Sequence, residues 1–141
     1  MGLVDEKGKV YNKHIVDYAK DNSSKYIIAQ INEYVSKYGE KADAIGVGVP
    51  GIIKNNKIVY TCNLTLEDPY FVKKIKTDLP VVLANDALCA TFAEYNVIDN
   101  CKYDNYALVT IGTGIGAGLI FNKKVYEGKN GYSGELRSHG Y

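Results

Sequence analysis

The chain has 141 residues, 46% of them hydrophobic, and a formal net charge of +1. That is enough apolar material for a packed core and excludes global disorder. A near-neutral balance with no basic block gives a nucleic-acid partner no electrostatic footing. Three scattered cysteines, Cys62, Cys89 and Cys101, form no Cys-x-x-Cys pair, so they read as reduced thiols of a cytoplasmic protein. No stretch reads as a signal peptide, and no apolar run approaches membrane-spanning length.

In chain order, "GLVDEKGKVYNKHIV" predicts two short strands joined by a turn at residues 6–8. Polar "DNSS" precedes a helix whose free N–H groups Ser23 or Ser24 can cap. Ile27, Ile31, Tyr34 or Val35, and Tyr38 recur at helical spacing, and Gly39 is placed as the stop. "ADAIGVGVPG" is a buried-type strand running into a Pro-Gly turn. "IIKNNKIVY" is a hairpin with Asn55 and Asn56 able to take positive φ. "EDPYFVKKIKTD" reads as a short helix, "LPVVLAND" as a strand and "DALCATFAEYNVI" as a helix. "NYALVTIG", "GAGLIFN" and "KKVYEG" form a meander of three short strands. Strand–helix–strand alternation followed by a meander predicts an α/β fold with parallel members.

One internal echo stands out. "GLVDEKGKVY" near the start and "GLIFNKKVYEG" from Gly118 share the order Gly-Leu-aliphatic, polar turn, Lys-Val-Tyr. The second copy follows a strand and a glycine loop, "ALVTIGTGIGA"; no such element precedes the first copy in this sequence.

Chemistry concentrates in a few places. In "VTIGTGIGAG", a Gly-Thr-Gly turn between strands leaves backbone N–H groups free to point at one spot, and Thr113 adds a hydroxyl. It is no Rossmann fingerprint, because a strand rather than a helix follows; a tight hairpin with glycines for sterics is the plain alternative. "NDA" sits where a strand hands over to a helix, the position at which α/β sheets collect ligands. Asp86 there is either a helix cap or a general base for a substrate hydroxyl. "GVGVPG" reads as a type II turn at a strand end.

The order of these pieces is more specific than any one of them. "GVGVPG", then "NL", then "LPVVLANDA", then "ALVTIGTGIGAGLIFNKKVYEGKNGYSGE" resembles the ROK family (repressors, open reading frames and kinases), and within it the glucokinase-like sugar kinases. The resemblance implies an α/β, actin-like and hexokinase-like (ribonuclease H-like) fold with a mixed sheet, here incomplete. Residues 1–105 would form the sugar-binding domain and residues 106–141 the start of the ATP-binding domain. It further implies transfer of the ATP γ-phosphate to a sugar hydroxyl with Mg²⁺. By resemblance Asp86 is the catalytic base and Asn85 its sugar-binding neighbour. Asn63, Glu135 and His139 are further sugar ligands, and Gly112, Thr113, Gly114 and Gly116 form a phosphate loop. No protein-held metal is implied; the partner is a hexose, with glucose as the default.

The chain also departs from the family pattern. The family's opening strand with its Asp-x-Gly-Gly-Thr loop is absent ahead of "GLVDEKG", and His139 falls one position later than the family's "GEIGH" histidine. The expectation is therefore a sugar kinase fragment with little turnover and millimolar or weaker ATP affinity. The alternatives are the sugar-sensing part of a ROK-type repressor and a non-catalytic remnant. A last expectation concerns the sheet. The segment 106–121 would stand in for the absent first strand, within one chain or by exchange in a homodimer.

Overall fold

The computed structural model describes residues 1–17, 23–61, 64–66, 70–97, 100–111, 115–129, 131 and 133–134. Strands β1 (Leu3–Val4) and β2 (Val10–Tyr11) form the opening hairpin. Its turn is closed by Asp5, whose Oδ1 accepts from the Lys7 and Lys9 N–H groups and whose Oδ2 accepts from the Tyr11 hydroxyl. Helix α1 (Ser24–Tyr38) starts where expected: Ser23 is extended and its hydroxyl accepts from the Tyr26 N–H at 3.2 Å. Gly39 ends it, but with φ −59° rather than in the left-handed region, and the chain tightens into a 3-10 turn (Gly39–Lys41).

Strand β3 (Ile45–Val49) pairs in parallel with β6 (Val81–Asn85), in register from Ile45↔Val81 to Val49↔Asn85. Between them β4 (Gly51–Lys54) and β5 (Lys57–Thr61) form the expected hairpin, with Asn55 and Asn56 at φ 50° and 57°. The Asn56 amide then reaches β6, accepting from the Leu83 N–H and donating to the Val81 carbonyl. The expected helix in "EDPYFVKKIKTD" appears among the described residues as a single 3-10 turn (Phe71–Lys74). Phe71 of this turn and Ile75 just after it join Val49, Ile58 and Leu83 in the core, against Ile27, Ile28, Ile31 and Val35 of α1.

Helix α2 (Asp86–Val97) leads into the meander: β7 (Tyr106–Ile111), β8 (Ile115–Phe121) and β9 (Lys124–Val125), all antiparallel. The helix packs on this small sheet. Thr91, fully buried, lies against Gly118, where a Cβ would run into the Thr91 side chain.

The sheet arrangement corrects one expectation. Strand β7 pairs with β8 along its whole length, Val109↔Ala117, Thr110↔Gly116 and Ile111↔Ile115 among its pairs, and with neither β1 nor β3. The segment 106–121 therefore does not complete the first sheet within one chain. One edge of β7 is paired by its own hairpin with β8, and α2 packs on it. Exchange between two chains concerns a second copy.

Candidate functional site

The parallel pair β3–β6 sets the site. Val49 and Asn85 end their strands side by side, and α2 begins at once with Asp86. The helix cap falls to Asn85 and not to Asp86: Asn85 Oδ1 accepts from the Leu88 N–H at 3.0 Å. The same side chain donates through Nδ2 to the Gly51 carbonyl at 3.0 Å, tying the end of β6 to the turn after β3. Half-buried Asn85 therefore holds the local backbone together, with one amide hydrogen and one lone pair to spare among the described residues.

That arrangement frees Asp86. Its carboxylate is exposed; Oδ1 accepts from the adjacent Ala87 N–H at 2.9 Å, and Oδ2 has no partner among the described residues. A carboxylate at a helix N-terminus is favoured by the helix dipole. One turn on, burial and then the charge of Asp86 push the Cys89 thiol above its ordinary range, which keeps it protonated and a poor nucleophile. The start of α2 lies against β3 at Gly48, where a Cβ would make ordinary contacts of 3.8 Å with Cys89 Sγ and 3.9 Å with the Asp86 Cα.

The glycine hairpin arrives at the same end. Gly116 packs against the start of α2, where a Cβ would come within 3.3 Å of the Ala87 Cβ and 2.9 Å of Thr110 Oγ1. The Ile111↔Ile115 pair brackets residues 112–114, so the loop springs from strands that touch the Asp86 turn. Gly134 is anchored on β8, its carbonyl accepting from the Ala117 N–H at 2.8 Å, and it takes φ +84°. Gly131, at φ +75°, lies close to the Ile53 carbonyl of β4.

Of the expected site residues, the structure thus brings together Asn85, Asp86 and Gly116. Asn63, Gly112, Thr113, Gly114, Glu135 and His139 lie outside the described residues. The reading of residues missed two supports. The Asn85–Gly51 tie has no local signal, since its partners are 34 residues apart. Asn56 was read as a turn residue alone, although its side chain also ties to β6. No group of three or more His, Cys, Asp and Glu comes together as a metal centre among the described residues. Nor is any helix among them long and apolar enough to cross a membrane.

Parallel strands ending side by side at the start of α2, with a glycine hairpin brought against that helix, fit a mixed α/β fold of the actin-like hexokinase class. The crystal structure of a ROK family glucokinase from Streptomyces griseus, in complex with glucose and AMPPNP, matches with a TM-score of 0.81 at 28% identity. The match covers 96% of this chain and 45% of that one. A ROK family protein from Streptococcus pneumoniae TIGR4 in complex with sucrose matches with a TM-score of 0.78 at 25% identity, over 96% of this chain and 46% of that one. In sequence, the chain is 29% identical over 142 residues to an N-acetylmannosamine kinase of Yersinia pestis (strain Pestoides F), covering 96% of this chain and 48% of that protein. The ROK family model matches residues 1–139. The chain belongs to the ROK family, and it spans about half the length of the relatives it matches.

Proposed function

We propose that the chain carries the sugar-facing half of an ATP-dependent hexose kinase, with Asp86 as the general base for the attacking sugar hydroxyl. The observation that carries this reading is the division of labour at the α2 start: Asn85 supplies the cap, so the Asp86 carboxylate is left exposed with one oxygen unengaged among the described residues. A carboxylate so placed can accept the hydroxyl proton as the oxygen attacks phosphorus, a role typically worth roughly 10²–10⁴-fold in rate. The spare amide hydrogen of Asn85 suits a sugar oxygen beside it, and Asn63, Glu135 and His139 are the further hydroxyl ligands in this reading.

The glycine loop suits a phosphate by its sequence, since Gly112 and Gly114 carry no Cβ and Thr113 adds a hydroxyl, and the β8 strand that follows it packs Gly116 against the start of α2. Gly112, Thr113, Gly114 and Gly116 would hold ATP phosphates there; Mg²⁺ would come with the nucleotide rather than in a protein cage. ATP supplies the phosphoryl group, and positioning plus electrostatic stabilisation is the protein's share of the chemistry. Residues 1–105 would serve the sugar and residues 106–141 would open the nucleotide side. Glucose is the default substrate, the relatives being a glucokinase and an N-acetylmannosamine kinase.

The chain by itself should show little turnover in a coupled assay with glucose and ATP, and ATP affinity in calorimetry of about millimolar or weaker, because one loop cannot offset the ordering of a triphosphate. The test of Asp86 uses a chimera in which residues 1–141 replace the corresponding half of the Streptomyces griseus glucokinase. Asp86→Ala should lower its kcat by about 10²-fold or more with a small change in sugar KM. An unchanged kcat would remove Asp86 from the mechanism.

A further inference from the structure

Strand β5 breaks its own alternation on the way to the site. Ile58 is 2% exposed and sits in the core with Val49. In a regular strand Tyr60 would share its face. Instead Val59 and Tyr60 both turn outward, at 55% and 44% exposed, and Thr61 is half-buried. The pairing gives the reason. Tyr60 lies opposite Ile52 and Ile58 opposite Ile53, so Val59 has no partner on β4. This is a β-bulge, and its extra residue moves every later side chain of the strand to the other face. Thr61 thereby comes to the inner face in place of Tyr60.

There it meets the joint between two sheets. Strand β3 ends at Val49 and β4 begins at Gly51, so at residue 50 the chain passes from the parallel pair to the hairpin. Pro50 has no N–H to donate, which leaves its carbonyl as its one backbone handle. That carbonyl accepts from the Thr61 hydroxyl at 2.9 Å. The next carbonyl, of Gly51, accepts from Asn85 Nδ2 at 3.0 Å. The approach is close, since a Cβ at Gly51 would run into the Tyr60 carbonyl and stand 3.1 Å from the Thr61 Cβ. Two consecutive carbonyls are thus held by side chains of different strands, Thr61 of β5 and Asn85 of β6. The Asn85 amide is itself fixed at two points, the Leu88 N–H and the Gly51 carbonyl. The second point stands where the Thr61 bond holds the joint.

We propose that Thr61 is a positioning residue for sugar binding, acting through Pro50 and Gly51 on the Asn85 amide. The inference rests on the reading of Asn85 as a sugar ligand beside the base Asp86. In that reading the remaining amide hydrogen of Asn85 meets a sugar oxygen, and the place of the Gly51 carbonyl sets its direction. A hydrogen bond weakens steeply as its angle degrades. A joint that drifts therefore costs sugar affinity, although no group that touches sugar is lost.

The test titrates the ¹⁵N-labelled chain with glucose and, separately, with N-acetylmannosamine, following the Asn85 side-chain amide. Saturable shifts are expected with at least one of the two sugars. Thr61→Val keeps the branched shape and removes the hydroxyl. It should weaken binding of that sugar by about tenfold, and it should move the Asn85 side-chain amide signals before any sugar is added. Thr61→Ser keeps the hydroxyl and loses a methyl group. It should bind within about twofold of the unsubstituted chain, even though its melting temperature falls by about 2 °C. Affinity should thus follow the hydroxyl and not the melting temperature. A Thr61→Val chain that binds sugar as the unsubstituted chain does would overturn the proposal and leave the sugar reading standing. So would a Thr61→Ser chain that loses as much affinity as Thr61→Val, or affinities that track melting temperature across both variants. Absence of any shift at Asn85 with either sugar would remove the sugar reading and the proposal with it.

Discussion

The β1–β2 and β8–β9 hairpins share a sequence pattern and a register, yet one is core and the other surface. Ile120 is 1% exposed, whereas its counterpart Val4 is 64% exposed. The hairpin itself does not decide this. Strand β7 flanks β8 on one side, and α2 covers it through Thr91; among the described residues β1 pairs with β2 only. Local sequence fixes the turn and the pairing, while burial is set by what packs against the hairpin, and energy follows burial.

The largest expected difference is between the two aliphatic positions. Ile120→Ala should cost about 4 kcal/mol in urea denaturation, by lost burial and the cavity left behind. Val4→Ala should cost less than about 0.5 kcal/mol, as surface changes do. Equal costs would mean that β1 is covered in solution and would break the contrast.

The paired glycines come next. A Cβ at Gly118 would run into Thr91, which is 0% exposed and holds its hydroxyl on the Ala87 carbonyl at 2.8 Å. Gly118→Ala should therefore cost about 3 kcal/mol by overpacking, since neither strand nor helix can withdraw cheaply. At Gly2 the Cβ would come within 2.7 Å of Val10 Cγ1, the far end of an exposed side chain. That side chain can turn aside, so Gly2→Ala should cost less than about 0.5 kcal/mol. A comparison of the two variants by thermal melts checks this; a costly Gly2→Ala would sink it.

The same contrast explains how far the sequence could be read. Elements written in local chemistry were legible: the Ser23 cap, the Asn55–Asn56 turn, the handover from β6 to α2, and the three-strand meander. Features set by distant partners were not. The segment after Tyr70 makes one 3-10 turn because Asn32 takes the Lys76 N–H at 2.7 Å and donates to the Lys74 carbonyl at 3.1 Å. These bonds meet backbone groups that a longer helix would have met itself, and they come from 42 and 44 residues away. At the site, the strand-to-helix handover located Asn85 and Asp86 but left open whether Asp86 caps α2 or stands free as a base. A shift of one residue turns a helical side chain by roughly 100°; here it separates the side chain that holds the backbone from the one that faces solvent. Tyr34 was read as an alternative to Val35 on the apolar face of α1. Val35 packs on the core, and Tyr34 donates instead to the Asn12 carbonyl and stacks near Tyr38.

The smallest expected effect lies in the turns themselves, where the two copies solve one problem with different chemistry. In the first, Asp5 bonds to the Tyr11 hydroxyl at 2.9 Å; in the second, Phe121 meets Tyr126 edge-on at 5.3 Å. The Lys9 N–H, then the Tyr11 hydroxyl, and to a lesser degree the Lys7 N–H hold the Asp5 carboxyl below its ordinary value of 3.8. A lowered folded value means that the carboxylate stabilises the turn above the unfolded value, and that this contribution is lost as pH falls through the folded one. Acidification below about pH 4 should therefore loosen the β1–β2 turn while leaving β8–β9 unchanged. Amide shifts of Lys7 and Lys9 should titrate in that window, and those of Lys123 and Lys124 should not. The same bond pushes the Tyr11 phenol above 10.0, so Asp5→Asn should bring its alkaline titration back down. Since the turn is solvent-exposed, global stability should barely move in either experiment. Parallel titration of both hairpins would show that the acid response is global unfolding and that the Asp5 bonds do not hold in solution.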